Sequence, residues 1–118
     1  MRDNNVVVDK SKEFALRIIK LYKFLTEEKK ELILSKQIIK SGTSIGANVK
    51  EAIRGQSKSD FYAKLNIALK EASETEYWLE LLYESGYIEK GAFDSIYYDC
   101  QEVIKLLVSI TRTQKNNS

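Results

Sequence analysis

The longest helical pattern in the chain is SKSDFYAKLNIALKEASETEYWLELLYES, residues 57–85. Ser57 followed by Asp60 is typical of a capping box, and Ser85-Gly86-Tyr87 is typical of a left-handed stop. Between these signals apolar or small residues recur every three or four positions, as on one face of an α-helix. They are Phe61, Leu65, Ala68, Ala72, Thr75, Leu79 and Leu82. We therefore predict a helix over about residues 58–85.

Three further stripes have the same helical spacing. The first contains Phe14, Ile18, Leu21 and Leu25, the second Leu34, Ile38, Ile45, Val49 and Ala52, and the fourth Phe93, Tyr97, Cys100, Ile104, Leu107 and Thr111. The second stripe is rotated by roughly a quarter to a third of a turn from the first, so a turn must separate the two helices near residues 26–31. No segment alternates with period two for long enough to predict a strand.

We predict helices at about residues 11–27, 31–54, 58–85 and 90–112, with frayed ends at residues 1–8 and about 113–118. Four amphipathic helices joined by short loops predict an all-α, up-down-up-down antiparallel four-helix bundle. With 118 residues, the chain is expected to form a single domain, residues 1–118.

The composition argues against several classes of protein. The chain has no His and one Cys, which excludes Ser–His and Cys–His catalysis, an intramolecular disulfide and most zinc sites. Because no cofactor fingerprint is present either, we expect no cofactor, no metal and no enzymatic activity. Apolar runs are shorter than the roughly 20 residues of a membrane span, and Met1 does not open a secretory leader. We expect a cytoplasmic protein with no membrane partner.

The segment Gly42-Thr43-Ser44-Ile45-Gly46 invites comparison with a phosphate-cradling loop. No strand precedes it and no Gly-Lys-Ser/Thr follows it, so the comparison fails. Gly42 and Gly46 both project toward the apolar side of the predicted second helix. This position favours the close approach of a neighbouring helix.

A second apolar patch lies on the predicted third helix. Ile67, Trp78 and Leu81 project about 200–260° around the helix from Phe61, away from the main stripe. The patch is either a wide contact within the chain or an interface between subunits, since contiguous exposed apolar surface usually marks association.

Four basic residues form a line on the predicted second helix, opposite its apolar stripe. Taking Lys36 as zero, Lys40, Lys50 and Arg54 project at about 40°, −40° and 0°. We call these four residues the basic line. It is either an ordinary solvated face or a track for phosphates, where each Lys or Arg releases counterions. The net charge of +2 is too small to decide between them.

Three segments closely resemble a bacterial family: SKQIIKSGTSIGANV at residues 35–49, QSKSDF at 56–61 and IALKEASETEYWL at 67–79. This family comprises the four-helix-bundle proteins encoded by intervening sequences within 23S ribosomal RNA genes, also called the S23 ribosomal protein family. The resemblance covers about residues 12–112. It implies an up-down bundle that assembles into a ring, as a homopentamer. It also implies kinship with the accessory variability protein of diversity-generating retroelements, which is associated with nucleic acid. No catalytic residue is implied.

Together these observations predict a non-enzymatic homo-oligomer that associates with RNA or DNA. Under this hypothesis Lys36, Lys40, Lys50 and Arg54 contact phosphates, while Ile67, Trp78 and Leu81 hold the subunits together. The alternative hypothesis is a protein-interaction scaffold, which would bind a protein partner and make no direct contact with nucleic acid.

Overall fold

The computed structural model describes the backbone of residues 2–116 and the side chains of residues 5–113. It contains four helices, α1 (Arg2–Glu27), α2 (Leu34–Ile53), α3 (Lys58–Glu84) and α4 (Lys90–Asn116). Each helix packs on its neighbours in the chain, and α4 packs back on α1. This is the predicted all-α, up-down-up-down antiparallel four-helix bundle, with extents of 46 × 21 × 20 Å.

The core follows the predicted stripes of α2 and α3 closely. Leu65, Ala68, Ala72, Leu79 and Leu82 are fully buried on α3. Polar groups in the core are paired: Thr75 Oγ1 lies 2.8 Å from Ser41 Oγ, joining α3 to α2. Within residues 2–116 no helix has both the length and the apolar character that a bilayer span requires.

On α4 the buried face is rotated from the predicted stripe. The buried apolar residues are Ile96, Cys100, Val103, Leu107 and Ile110. Phe93, Tyr97 and Ile104 are half-buried instead. The two aromatic rings lie at the α3–α4 contact, where Phe93 stacks on Tyr83 at 4.4 Å and the Tyr97 hydroxyl donates to Glu80 at 2.6 Å. The polar edge of Tyr97 thus keeps the ring at the margin of the core.

The chain ends also differ from the predicted frayed segments. α1 begins at Arg2 rather than near residue 11, and Val7 and Ser11 are buried. α4 continues to Asn116 rather than ending near residue 112. Ile110 and Thr111 are buried near the end of α4, so packing reaches the last described turns of both helices. Residues 1, 117 and 118 lie outside the described part of the chain.

The predicted end signals of α3 are present. The Ser57 hydroxyl accepts a hydrogen bond from the Asp60 N–H at 3.0 Å. Gly86 has φ of +87° and ends the helix, with the Tyr87 N–H donating to the Leu82 carbonyl at 2.9 Å. This left-handed conformation suits glycine because it has no Cβ.

α2 begins three residues later than predicted because Glu31 caps it. The Glu31 carboxylate accepts hydrogen bonds from the N–H groups of Ile33, Leu34 and Ser35, at 3.2, 3.0 and 2.7 Å. Burial raises the pKa of Glu31, but these three N–H donors outweigh it, so the pKa lies below its ordinary value. The carboxylate thus satisfies N–H groups that the first turn of a helix leaves unpaired.

The close approach of a neighbouring helix, predicted from the glycines of α2, is confirmed, and that helix is α1. A Cβ added at Gly42 would lie 2.8 Å from two side-chain carbons of Ile18, which is fully buried. One added at Gly46 would lie 3.4 Å from the carbonyl oxygen of Ser11. Glycine in α2 therefore lets α1 pack directly against its backbone.

We expect Gly42→Ala to lower the free energy of unfolding by about 1–3 kcal/mol, because the methyl group would overlap buried Ile18. Urea denaturation followed by circular dichroism measures the change. Gly91→Ala is the matched control, since no atom lies within 4 Å of its Cβ position. This control should leave stability unchanged or raise it by up to about 1 kcal/mol. Equal losses at both positions would contradict the close-approach explanation.

We also expect Glu31→Gln to lower the free energy of unfolding by about 1–2 kcal/mol at neutral pH. Because the folded pKa is lowered, the stabilisation is complete above the ordinary carboxyl pKa of about 4.3 and is lost as pH falls through the folded value. The difference from wild type should therefore shrink in acid. Glu28→Gln, at an exposed position in the same turn, should change stability little at either pH. A difference that is independent of pH would refute the charged cap.

Candidate nucleic-acid interface

Three members of the basic line lie on the outer face of α2, opposite the buried stripe, and Arg54 is the C-cap, one residue beyond the end of the helix at Ile53. Lys36, Lys40, Lys50 and Arg54 are all exposed. Among residues 5–113, none of the four makes an ion pair within 4.0 Å. The ion pairs of this part of the chain are Lys10–Glu102, Arg17–Asp99, Lys64–Glu51 and Lys90–Asp94. The α2 cations are thus available to an external anion.

Neighbouring acids leave most of the basic line unneutralised. Glu51, on α2 itself, is held by Lys64 of α3 at 3.2 Å and makes no ion pair with Lys50 or Arg54. Glu71 of α3 lies near Lys40: burial and Glu74 raise the pKa of Glu71, while Lys40 and Lys70 act in the opposite direction. Lys40 is therefore the member of the basic line that acts on the titration of a neighbouring carboxylate.

Two shallow grooves flank the end of the basic line at Lys50 and Arg54. One groove, of about 570 Å³, lies between α1 and α2, and Lys12 of α1 forms part of its opposite wall. The other, of about 630 Å³, extends from the end of α2 to Lys64 at the start of α3. Asp9 lines the first groove, and Glu51 and Asp60 line the second. The surface around Lys50 and Arg54 is thus concave and carries two further cations, Lys12 and Lys64, together with three acids.

Lys12 was not among the residues singled out in the sequence. It is brought to the basic line by the packing of α1 on α2, because its neighbour Ser11 lies against Gly46. The two glycines of α2 indicated a close helix but did not identify which helix or which residues. That information required the tertiary arrangement.

The predicted interface residues lie on one side of α3, beside the core stripe. Ile67 is 42% exposed, whereas Trp78 and Leu81 are half-buried. Trp78 packs partly against the chain's own core, and its Nε1–H donates to Glu74 Oε1 at 3.3 Å. Packing within the chain therefore explains part of the burial of Trp78, whereas Ile67 remains at the surface.

The thiol and phenol groups considered next, those of Cys100 and Tyr97, both have raised pKa values. Cys100 is buried on α4, and burial, with Glu76 and Glu80 nearby, raises the pKa of its thiol to about 12. Burial and the hydrogen bond to Glu80 likewise raise the pKa of Tyr97. The described residues contain no group of three or more His, Cys, Asp or Glu side chains that could hold a metal ion.

Comparison with known proteins identifies the family. A solved structure from Bacteroides thetaiotaomicron VPI-5482, described as a protein with unknown function from the S23 ribosomal protein family, is 60% identical to the chain. The match covers 93% of this chain and 98% of that one, with a TM-score of 0.92. No curated protein matches the chain significantly. The family model for the 23S rRNA-intervening sequence protein matches residues 3–109. The chain therefore belongs to the 23S rRNA-intervening sequence protein family, as the three sequence segments implied.

Proposed function

We propose that this protein is a non-enzymatic homo-oligomer that binds RNA through the basic line of α2. The observation that supports the proposal is the exposure of Lys36, Lys40, Lys50 and Arg54 along one side of α2, with no ion pair to any of the side chains of residues 5–113. Cations without an internal partner can bind phosphate without first giving up another contact, and each bound phosphate releases counterions.

Assembly would strengthen a contact that is weak in one subunit. Four phosphate contacts in one copy give an affinity that depends strongly on salt. Several copies on one scaffold bind the same polyanion with a higher effective concentration. In a ring of five, as the family resemblance implies, a net charge of +2 per chain sums to about +10.

The proposed interface between subunits is the side of α3 that carries Ile67, Trp78 and Leu81. These three residues share helical spacing with Glu71 and Glu74, so the patch is apolar at its ends and acidic at its centre. The apolar ends suit a contact between folded subunits, whose cores are depleted of charged residues. Glu71 and Glu74 at the centre therefore require cationic partners on the neighbouring subunit.

A protein-interaction scaffold is the alternative, and the tests below separate it from the proposed function. The family description refers to an intervening sequence of 23S rRNA, so structured RNA is the first ligand to test. A scaffold would capture the same protein partners from nuclease-treated and untreated lysate.

Replacing all four residues of the basic line by Gln should abolish most RNA binding. In a salt titration of wild-type protein with a structured RNA, log K should fall linearly with log salt concentration. Loss of four contacts should flatten that slope by about 3.6 per subunit, at about 0.9 for each phosphate contact in a base-paired region. Fluorescence anisotropy with labelled RNA measures both quantities.

A matched control removes four other exposed cations, by Lys20→Gln, Lys23→Gln, Lys70→Gln and Lys105→Gln. This variant loses the same net charge from α1, α3 and α4 and leaves the basic line intact. It should retain most of the wild-type affinity. If the two quadruple variants bind equally, the attraction comes from net charge and the basic line is not the site.

Assembly is tested by light scattering at micromolar concentration. Trp78→Glu and Ile67→Glu should each dissociate the oligomer, because they place an unpaired carboxylate inside the proposed interface. Ile67 is 42% exposed, so its substitution should leave the monomer folded even where loss of half-buried Trp78 does not.

Tyr98→Glu serves as the control for assembly. Tyr98 is 67% exposed and lies on α4, so it adds the same charge at an aromatic position outside the patch. This variant should remain an oligomer. A wild-type protein that is monomeric at micromolar concentration would refute the proposed assembly outright.

A further inference from the structure

The basic line consists of two pairs of cations separated by a gap. Lys36 and Lys40 are four residues apart, or about 6 Å along the helix, and Lys50 and Arg54 form a second pair with the same spacing. Between Lys40 and Lys50 the helix advances about 15 Å. The residues that face the same way in that interval are Thr43 and Ala47. The four cations of the line thus lie toward the two ends of α2 and leave its centre without a cation.

At the middle of the basic line, neither Thr43 nor Ala47 has a hydrogen-bond donor that is free to contact a ligand. The Thr43 hydroxyl donates to the Ile39 carbonyl at 2.6 Å, and Ala47 has only a methyl group. Base edges are read by side chains that donate or accept hydrogen bonds. The centre of α2 is therefore suited to lie close to a nucleic acid without reading its sequence.

The separation of the two pairs matches the width of a double-helical groove. Their centres are about 21 Å apart and their inner members about 15 Å apart. The major groove of B-DNA is about 12 Å wide, and its flanking phosphates lie on the two backbones beyond that width. A-form RNA presents a similarly wide but shallow minor groove. Flexible Lys and Arg side chains at either end of α2 can therefore reach opposite strands.

The Lys50 and Arg54 end of the basic line offers no aromatic ring for base stacking. Proteins that hold single strands combine cations with aromatic rings on which successive bases stack. Neither groove beside Lys50 and Arg54 has an aromatic residue in its lining. The exposed aromatic residues of the described chain, Phe24, Tyr77 and Tyr98, belong to the other three helices.

From these observations we infer that the ligand of the basic line is a double-stranded nucleic acid. α2 lies across one groove, with Lys36 and Lys40 on the phosphates of one strand and Lys50 and Arg54 on those of the other. Binding depends on the spacing of the backbones and not on sequence. This inference rests on the proposed function and specifies the class of nucleic acid that the site selects.

The test uses the full-length protein and labelled RNA in fluorescence anisotropy. The probes are an RNA duplex of about 20 base pairs, or two helical turns, its separated strands, and a DNA duplex of the same sequence. Because a duplex has about twice the charge density of a single strand, either duplex should bind at least about tenfold more tightly than the strands. Scrambling the duplex sequence should leave the affinity within about twofold.

Two double variants examine the two ends separately. Lys36→Gln with Lys40→Gln, and Lys50→Gln with Arg54→Gln, should each weaken duplex binding and flatten the salt slope by about 2. Lys23→Gln with Lys105→Gln removes the same charge elsewhere and should change the slope little.

The outcomes distinguish this inference from the function on which it rests. If single strands bind as tightly as the duplex, and both double variants still weaken binding, the preference for a duplex is wrong and the basic line remains the site. If neither double variant weakens binding of any probe, the proposed function itself is wrong.

Discussion

The arrangement of the bundle depends on the contact between Ile18 and the bare backbone of α2 at Gly42. No side chain separates the two helices there, so a Cβ at Gly42 would lie 2.8 Å from Ile18. This contact fixes which side of α2 faces α1, and the Ser41–Thr75 hydrogen bond fixes the side that faces α3. The basic line is the side that remains. One turn further along, the contact of Ser11 with Gly46 brings Lys12 to the groove that Lys50 and Arg54 line. The geometry of the outer surface thus follows from packing inside.

Much of the fold could be predicted because its signals are local. The stripes of α2 and α3, the Ser57 cap and the Gly86 stop each depend on residues within a few positions of one another. The buried face of α4 was harder to predict, because the apolar residues of this helix fit two overlapping stripes. Only the contacts of Phe93 and Tyr97 with α3 decide which stripe is buried. The early start of α1 was missed for a similar reason, since burial of Val7 depends on neighbouring helices.

The sequence predicts which face of the helix carries the candidate site, but it does not predict which residues of other helices surround that site. A helical wheel places Lys36, Lys40, Lys50 and Arg54 on one face, and the structure exposes all four. A helical wheel does not show which acids neutralise which cations, because those pairings depend on contacts between helices. Glu51 is the instructive case: it is adjacent to Lys50 in sequence yet pairs with Lys64 of α3. Lys12 likewise joins the surface only through tertiary packing.

Burial of the single cysteine has a practical consequence for spectroscopy. The Cys100 thiol lies inside the bundle and stays protonated at neutral pH, so it reacts poorly with maleimide or iodoacetamide dyes. A cysteine introduced at an exposed position, such as Ser95 of α4, would therefore be labelled selectively without removing the native one. Distances between fluorophores or spin labels on separate copies could then be measured in an otherwise unaltered chain.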